Sequence, residues 1–279
     1  MLSSFLAEMD KLMRRPATWI LGMVWVILSA LLGYGFSYLM YKNPPPNTPS
    51  DVTDGMLGLV LPENVVGNVI SGLPQLGGAI ALIFGAIIIG SEFKWGTFKT
   101  VFIHQPKRLN VLGGKLSALI IILFIFVLAV FATGLLCSYF IATVEDVQMN
   151  WPPFIEFAKA LLAGWFMVVI LAMLGGMLAT LFRGTTLATG TGLVYIFVVE
   201  GMISGSAEQS KVIETIAKVL PGVNAGSLAN TLIPSTIKDI AIGAIDIVDG
   251  TQATFMLTIY AVAFLILTGL FIRQTDIIK

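Results

Sequence analysis

The sequence is short of the residues that enzyme chemistry usually needs. In 279 residues it has one cysteine, Cys137, and one histidine, His104. A single thiol inside an apolar run excludes an internal disulfide and leaves the redox compartment unread. One histidine excludes the His-Glu-x-x-His helix of a zinc protease, and no apolar run carries the histidine that a serine–histidine dyad requires. No Gly-x-x-x-x-Gly-Lys-Ser/Thr loop occurs. Gly113-Gly114-Lys115-Leu116 has the ending of one, but the earlier glycine is missing and leucine stands where the magnesium-binding hydroxyl belongs. No catalytic residue, metal site or cofactor site is therefore expected in this chain. Charge is scarce too. Only 11% of residues are charged, against about 25% in soluble domains. Net charge is zero, so nothing points to nucleic acid.

What the chain has is apolar length. Hydrophobic residues make up 57% of it, and lipid is the solvent that composition suits. A bilayer-spanning helix needs roughly 20 apolar residues. Six runs qualify, at about 19–41, 66–90, 116–142, 157–182, 187–204 and 253–272. The start shows no cleavable leader pattern, so the first run is expected to stay as a span. The fold expected is a single all-α integral membrane domain over 1–279, with six transmembrane helices. Lysines and arginines set its orientation. Lys11, Arg14, Arg15, Lys94, Lys99, Lys107, Arg108, Lys115, Arg183, Arg273 and Lys279 fall on one side, and Lys42, Lys159, Lys211, Lys218 and Lys238 on the other. Both termini are therefore expected in the cytoplasm of a multi-pass plasma-membrane protein.

The parts outside the spans are patterned. In residues 1–16, Leu2, Phe5, Leu6, Met9, Leu12 and Met13 share one helical face, and Glu8, Lys11, Arg14 and Arg15 the other. That is an amphipathic helix in the headgroup plane, contacting membrane lipid. Pro16 turns the chain into the first span. The extracytoplasmic segment 205–252 predicts short re-entrant or interfacial helices at 211–220 and 236–248, split by Pro221-Gly222 and Pro234. They are expected to be buried against the bundle.

The segment 91–115 is the most structured-looking loop. A helix over 92–104 places Trp95, Phe98 and Phe102 together, a face suited to a partner's groove. Pro106 ends it, and Lys107 and Arg108 suit anionic headgroups. By residue pattern alone, a basic loop that only fixes orientation is the commoner case and the favoured reading. Glu200 lies deep in the fifth run, where an ionisable group is costly. It is either a polar site on a translocation path or dimer seam, with Gln75, Thr189 and Thr191, or a carboxylate bonded to backbone in the re-entrant segment. Gly175-Gly176 and Gly201-x-x-x-Gly205 allow close helix approach, but among 28 glycines such spacings arise by chance. Met167, Met173 and Met177 read as packing rather than a metal path.

The order Glu92, Gly96-Thr97, Pro106, Arg108, Lys115 resembles the loop after the second span of type-2 ABC exporter permeases, including bacitracin-exporter-like and sodium-exporter-like members. The start with Glu8, Lys11 and Arg14-Arg15-Pro16 is similar to their interfacial helix. The resemblance implies a bacterial exporter permease without ATPase activity of its own. It would pair with a second permease chain, as homodimer or heterodimer, and each chain would be gripped by one of two copies of a cytoplasmic ABC ATPase that binds ATP and magnesium. Segment 92–104 would be the coupling helix. Glu92, Gly96, Thr97, Pro106 and Arg108 match the family pattern, and Trp95 and Phe98 are the groove-filling anchors. His104-Gln105 departs from it. Sparse polarity in the spans suits an amphipathic or apolar cargo. The alternative is an ABC-type membrane component for mechanical signalling or assembly without solute movement. A proton-coupled transporter is disfavoured, because relays are chains of groups and Glu200 stands alone.

Overall fold

The computed structural model describes residues 2–46, 49–95, 108–238, 243 and 245–274, and all regular structure among them is helical. Six helices are long and apolar enough to cross a membrane. Taken with four shorter ones, they run as follows. Helix α1 is Leu2–Arg14. The first span, α2, is Pro16–Lys42, followed by α3, Ser50–Val60. The second span, α4, is Pro62–Phe93, and its helical turns continue to Trp95. The third, α5, is Arg108–Val144. The fourth, α6, is Phe154–Leu181, and the fifth, α7, is Thr185–Gly205. Two short helices follow, α8 at Lys211–Ala217 and α9 at Pro221–Asn230. The last span, α10, is Gly250–Gln274. Six crossings bring both termini to one end of the bundle, called here the terminal end.

The core is α4 against α6, with α2, α7 and α10 on the outside. The two central helices touch backbone to backbone. A Cβ on Gly85 would lie 1.9 Å from the Ala172 carbonyl oxygen, and one on Gly175 would lie 2.0 Å from that of Leu82. Close approach is therefore real at Gly175-Gly176. At Gly201 and Gly205 a Cβ would meet open space, and that spacing is chance. Met167 and Met173 are buried core residues, as expected of packing.

Several boundaries differ from those the sequence suggests. The second span begins at Pro62 and the third helix at Arg108, so Lys115 stands inside a helix rather than in a loop. At 1.5 Å per residue the 37-residue α5 is about 55 Å long, more than the roughly 30 Å hydrocarbon core. It must project beyond the membrane or tilt. Of the helix expected at 236–248, the described residues form turn and bend instead. Gly243 sits there at φ +95°, against the Ser71 carbonyl. In its place α9 is helical and almost wholly buried. It packs against α6, α10 and the middle of α4. The expectation that the irregular segment before the last span is buried in the bundle holds for this helix.

At the end opposite the termini, Glu145 follows α5 directly. It accepts hydrogen bonds from Tyr38 Oη at 2.6 Å and pairs with Lys42 Nζ at 2.7 Å, which ties the far ends of α2 and α5 together. The lysine and then the tyrosine hold its carboxyl below the usual carboxylate range.

Candidate functional site

Helix α1 turns its polar stripe inward. Ser4, Glu8, Lys11, Leu12 and Arg15 recur at helical spacing. Ser4 and Leu12 are buried, while Leu2 and Leu6 on the other side are 71% and 56% exposed. The sequence suggests that Glu8 and Lys11 face water; they face protein. The reason is at Gly113-Gly114. A Cβ on Gly114 would lie 2.8–2.9 Å from Ser4 Cβ and Phe5 N, so only glycine lets α1 cross α5 this closely. The glycine pair that has the look of a phosphate-loop ending is a helix-crossing point.

That crossing closes a charge bracket. Lys115 Nζ lies 2.9 Å from Glu92 Oε1 and 2.5 Å from Glu8 Oε1. Lys11 Nζ is bonded to Glu92 Oε1 and lies 3.7 Å from Glu8 Oε1. The side chains of Glu92 and Lys115 are each 2% exposed. Arg15 Nη1 adds a hydrogen bond to Ser91 Oγ at 3.3 Å. Two carboxylates and two ammoniums balance to zero, as buried charge must if it is not to be strongly destabilising. Glu92 is on the last turns of α4 and Lys115 on the first turns of α5. Both ends of the intervening segment are thus fastened to the same helix.

A second feature lies deeper. A cavity of about 380 Å³ opens between α2, α4, α5 and α7. Three stretches of π-helix converge on it: Ala30–Gly35 in α2, Leu73–Gly77 in α4 and Tyr195–Glu200 in α7. A π-turn inserts an extra residue, misaligns the hydrogen-bond ladder, and is frequent at functional sites. The carbonyl of Gly33 shows the consequence. Asn68 Nδ2 donates to it at 3.1 Å and Ser37 Oγ at 3.4 Å. The walls are mainly apolar, with Gln75, Asn68, Ser71 and Thr133 as polar points.

A model of the ABC-2 family transporter proteins matches residues 2–275, nearly the whole chain. The chain belongs to the ABC-2 family. No curated protein sequence matches it significantly. An ABC-2 protein is the membrane component of an ABC transporter, and six apolar helices agree with that. In this ABC-2 chain the residues singled out from the sequence separate into groups. Gly96, Thr97, Phe98 and Pro106 lie outside the described residues, as do the side chains of Trp95 and Arg108. Glu92 is not the start of a separate helix. It sits within continuous α4 and points at α1 and α5 rather than outward.

The path candidates also divide. Gln75 of α4 lines the cavity, as does Phe197 of α7. Thr189, Thr191 and Glu200 do not line it. Thr191 is exposed and its hydroxyl donates to the Leu187 carbonyl of its own helix. Glu200 makes the backbone contact of its second sequence reading. Its Oε1 accepts the backbone N–H of Gly222 at 3.1 Å, in the first turn of α9. That carboxylate caps a buried helix N-terminus, where orphan N–H groups and the helix dipole favour negative charge. A Cβ on Gly222 would lie 1.7 Å from Glu200 Oε2, so a larger residue there displaces the carboxylate. Pro74 within an apolar run marks the π-stretch of α4, and no comparable signal marks the other two. The inward stripe Ser4-Glu8-Lys11-Arg15 was visible as a period and could have been matched to Glu92 and Lys115 by charge.

Proposed function

We propose that this ABC-2 chain is the permease of an exporter, driven by ATP hydrolysed on a separate cytoplasmic subunit, and that an amphipathic or apolar substrate occupies the cavity between α2, α4, α5 and α7. The observation that carries the reading is the convergence of three π-stretches from three spans on one apolar cavity with a few polar points. Its volume falls in the roughly 300–1,000 Å³ range of small-molecule sites. Helices with misaligned ladders change register at lower cost than regular ones, which suits spans that must shift between states. The terminal end faces the cytoplasm in this reading, in keeping with the lysine and arginine excess there. In each chain the segment between α4 and α5 is the handle that one ATPase copy grips, with Gly96, Thr97, Pro106 and Arg108 as the motif and Trp95 and Phe98 as anchors. Two permease chains work as a dimer. ATP and magnesium belong to the partner.

The test is reconstitution of the chain with its ATPase in vesicles. Amphipathic probes should stimulate ATP hydrolysis and move in an ATP-dependent manner, and Gln75→Leu with Asn68→Leu should raise the half-maximal probe concentration several-fold. A complex whose hydrolysis no probe stimulates, and which moves none, would favour mechanical signalling instead.

A further inference from the structure

We infer that α1 is a moving part of the coupling unit rather than a membrane anchor, with Glu8 and Lys11 as positioning residues that make α1 and both ends of the 96–107 segment travel as one body. The inference rests on the reading that the segment is gripped by an ATPase.

Three observations lead to it. The bracket joins three elements through a single set of contacts: Glu8 to Lys115, Lys11 to Glu92, and Glu92 to Lys115. A pull on either end of the segment therefore reaches α1 through an ion pair whose partner on the span is buried. The backbones of α1 and α5 also touch at Gly114, which leaves no compliant side-chain layer between them. Finally, the outward stripe of α1, with Leu2, Leu6 and Met13 exposed, is apolar. A helix that only had to float at the interface would turn its charges to water and its apolar face to lipid. This one keeps its lipid face and spends two of its charges on α4 and α5. It is built to be held by the spans on one side and to slide against the membrane surface on the other.

The discriminating variant removes both α1 charges together, Glu8→Gln with Lys11→Met. The buried Glu92–Lys115 pair stays intact, so no charge is left unpartnered. In the reconstituted complex the ATPase should co-purify as before, while substrate transported per ATP falls at least tenfold. Wild-type transport per ATP in that variant would show α1 to be an anchor and overturn the inference. The second arm inverts all four charges, as Glu8→Lys, Lys11→Glu, Glu92→Lys and Lys115→Glu. Every opposite-sign contact is kept, and transport per ATP should return to within about threefold of wild type. A folded, ATPase-bound inverted variant that does not transport would equally overturn it, and this arm decides alone if the paired variant does not fold. Failure of the parent reading looks different: the unmodified chain would then hold no ATPase.

Discussion

Both ends of this molecule use carboxylates to hold a non-spanning helix against the bundle, by different means. At the terminal end Glu8 and Glu92 are matched by Lys11 and Lys115, so α1 is held by ion pairs between side chains. At the other end Glu200 is matched by the backbone N–H of Gly222, so α9 is held by its own N-terminus. The first arrangement is cooperative, because each charge has two opposite partners or a shared one. The second is one hydrogen bond added to the packing that buries α9 against α4, α6 and α10, and a side chain on Gly222 would displace it. The difference teaches where each end is vulnerable. The bracket fails when its charge count is unbalanced, and the cap fails when its space is filled.

The largest effect should follow from unbalancing the bracket. Lys115→Met leaves Glu8 and Glu92 facing Lys11 alone, one net negative charge in a site where Lys115 is 2% exposed. Breaking a buried pair in this way costs about 3–5 kcal/mol. Denaturant or thermal unfolding of the purified permease in detergent should show a loss of that size. Replacing Glu92 and Lys115 together by Gln and Met should cost clearly less. Equal losses for the single and double variants would mean that charge balance is not what holds α1.

At the other end the loss should come from volume instead. Gly222→Ala puts a Cβ where Glu200 Oε2 lies and displaces a charge-assisted hydrogen bond, for about 1.5–3 kcal/mol. Glu200→Ala removes the bond but also the overlap. The double variant should therefore be no less stable than Glu200→Ala alone, a strongly non-additive cycle. Additive losses would disprove the capping account of Glu200.

A smaller contrast isolates helix approach. Gly114→Ala must push α1 away from α5 and should cost about 1–3 kcal/mol by overpacking, read as a lower Tm. Gly201→Ala, in open space, should be neutral or gain up to about 1 kcal/mol from helix propensity. A neutral Gly114→Ala would mean that α1 is not seated as closely as described.

What could be read from the sequence follows from what each signal measures. Span existence was legible because six runs each exceed the apolar length a bilayer requires, and tertiary context seldom overrides that. Which face of α1 meets protein was not, because amphipathicity gives two faces without saying which neighbour each finds. Pro221 to Asn230 is rich in Gly, Asn and Ser and reads as a break, yet burial among α4, α6 and α10 makes it helical, with Pro221 at a position that needs no N–H. The apolar run 236–248 reads as a helix, yet its described residues turn around Gly243 to lie on α4. Lys115 reads as the end of a loop because the apolar run starts only at Leu116, though helix α5 already runs through it. The family resemblance singled out Glu92 and Lys115 as positions in the chain. Only three-dimensional packing joined them to Glu8 and Lys11.

The smallest effect tests whether backbone capping by carboxylates is general at the far end. Asp249 precedes α10 and its Oδ2 accepts the Thr251 N–H at 3.0 Å. Those backbone and side-chain hydrogen bonds from Thr251 hold its carboxyl below the usual range. A carboxyl whose folded pKa is depressed contributes stability above its unfolded pKa, about 3.9 for aspartate, and loses it as pH falls through the folded value. Asparagine caps about as well as aspartate but does not titrate. Asp249→Asn should therefore match wild type near pH 6 and lose less Tm than wild type between pH 5 and pH 3. Because Asp249 is exposed, the gap should be small beside the shift at Lys115. Glu145, depressed by Lys42 and Tyr38, titrates in both proteins and cancels in the difference. Identical pH slopes for the two proteins would show that this cap carries no charge-dependent stability, and the parallel with Glu200 would then fail.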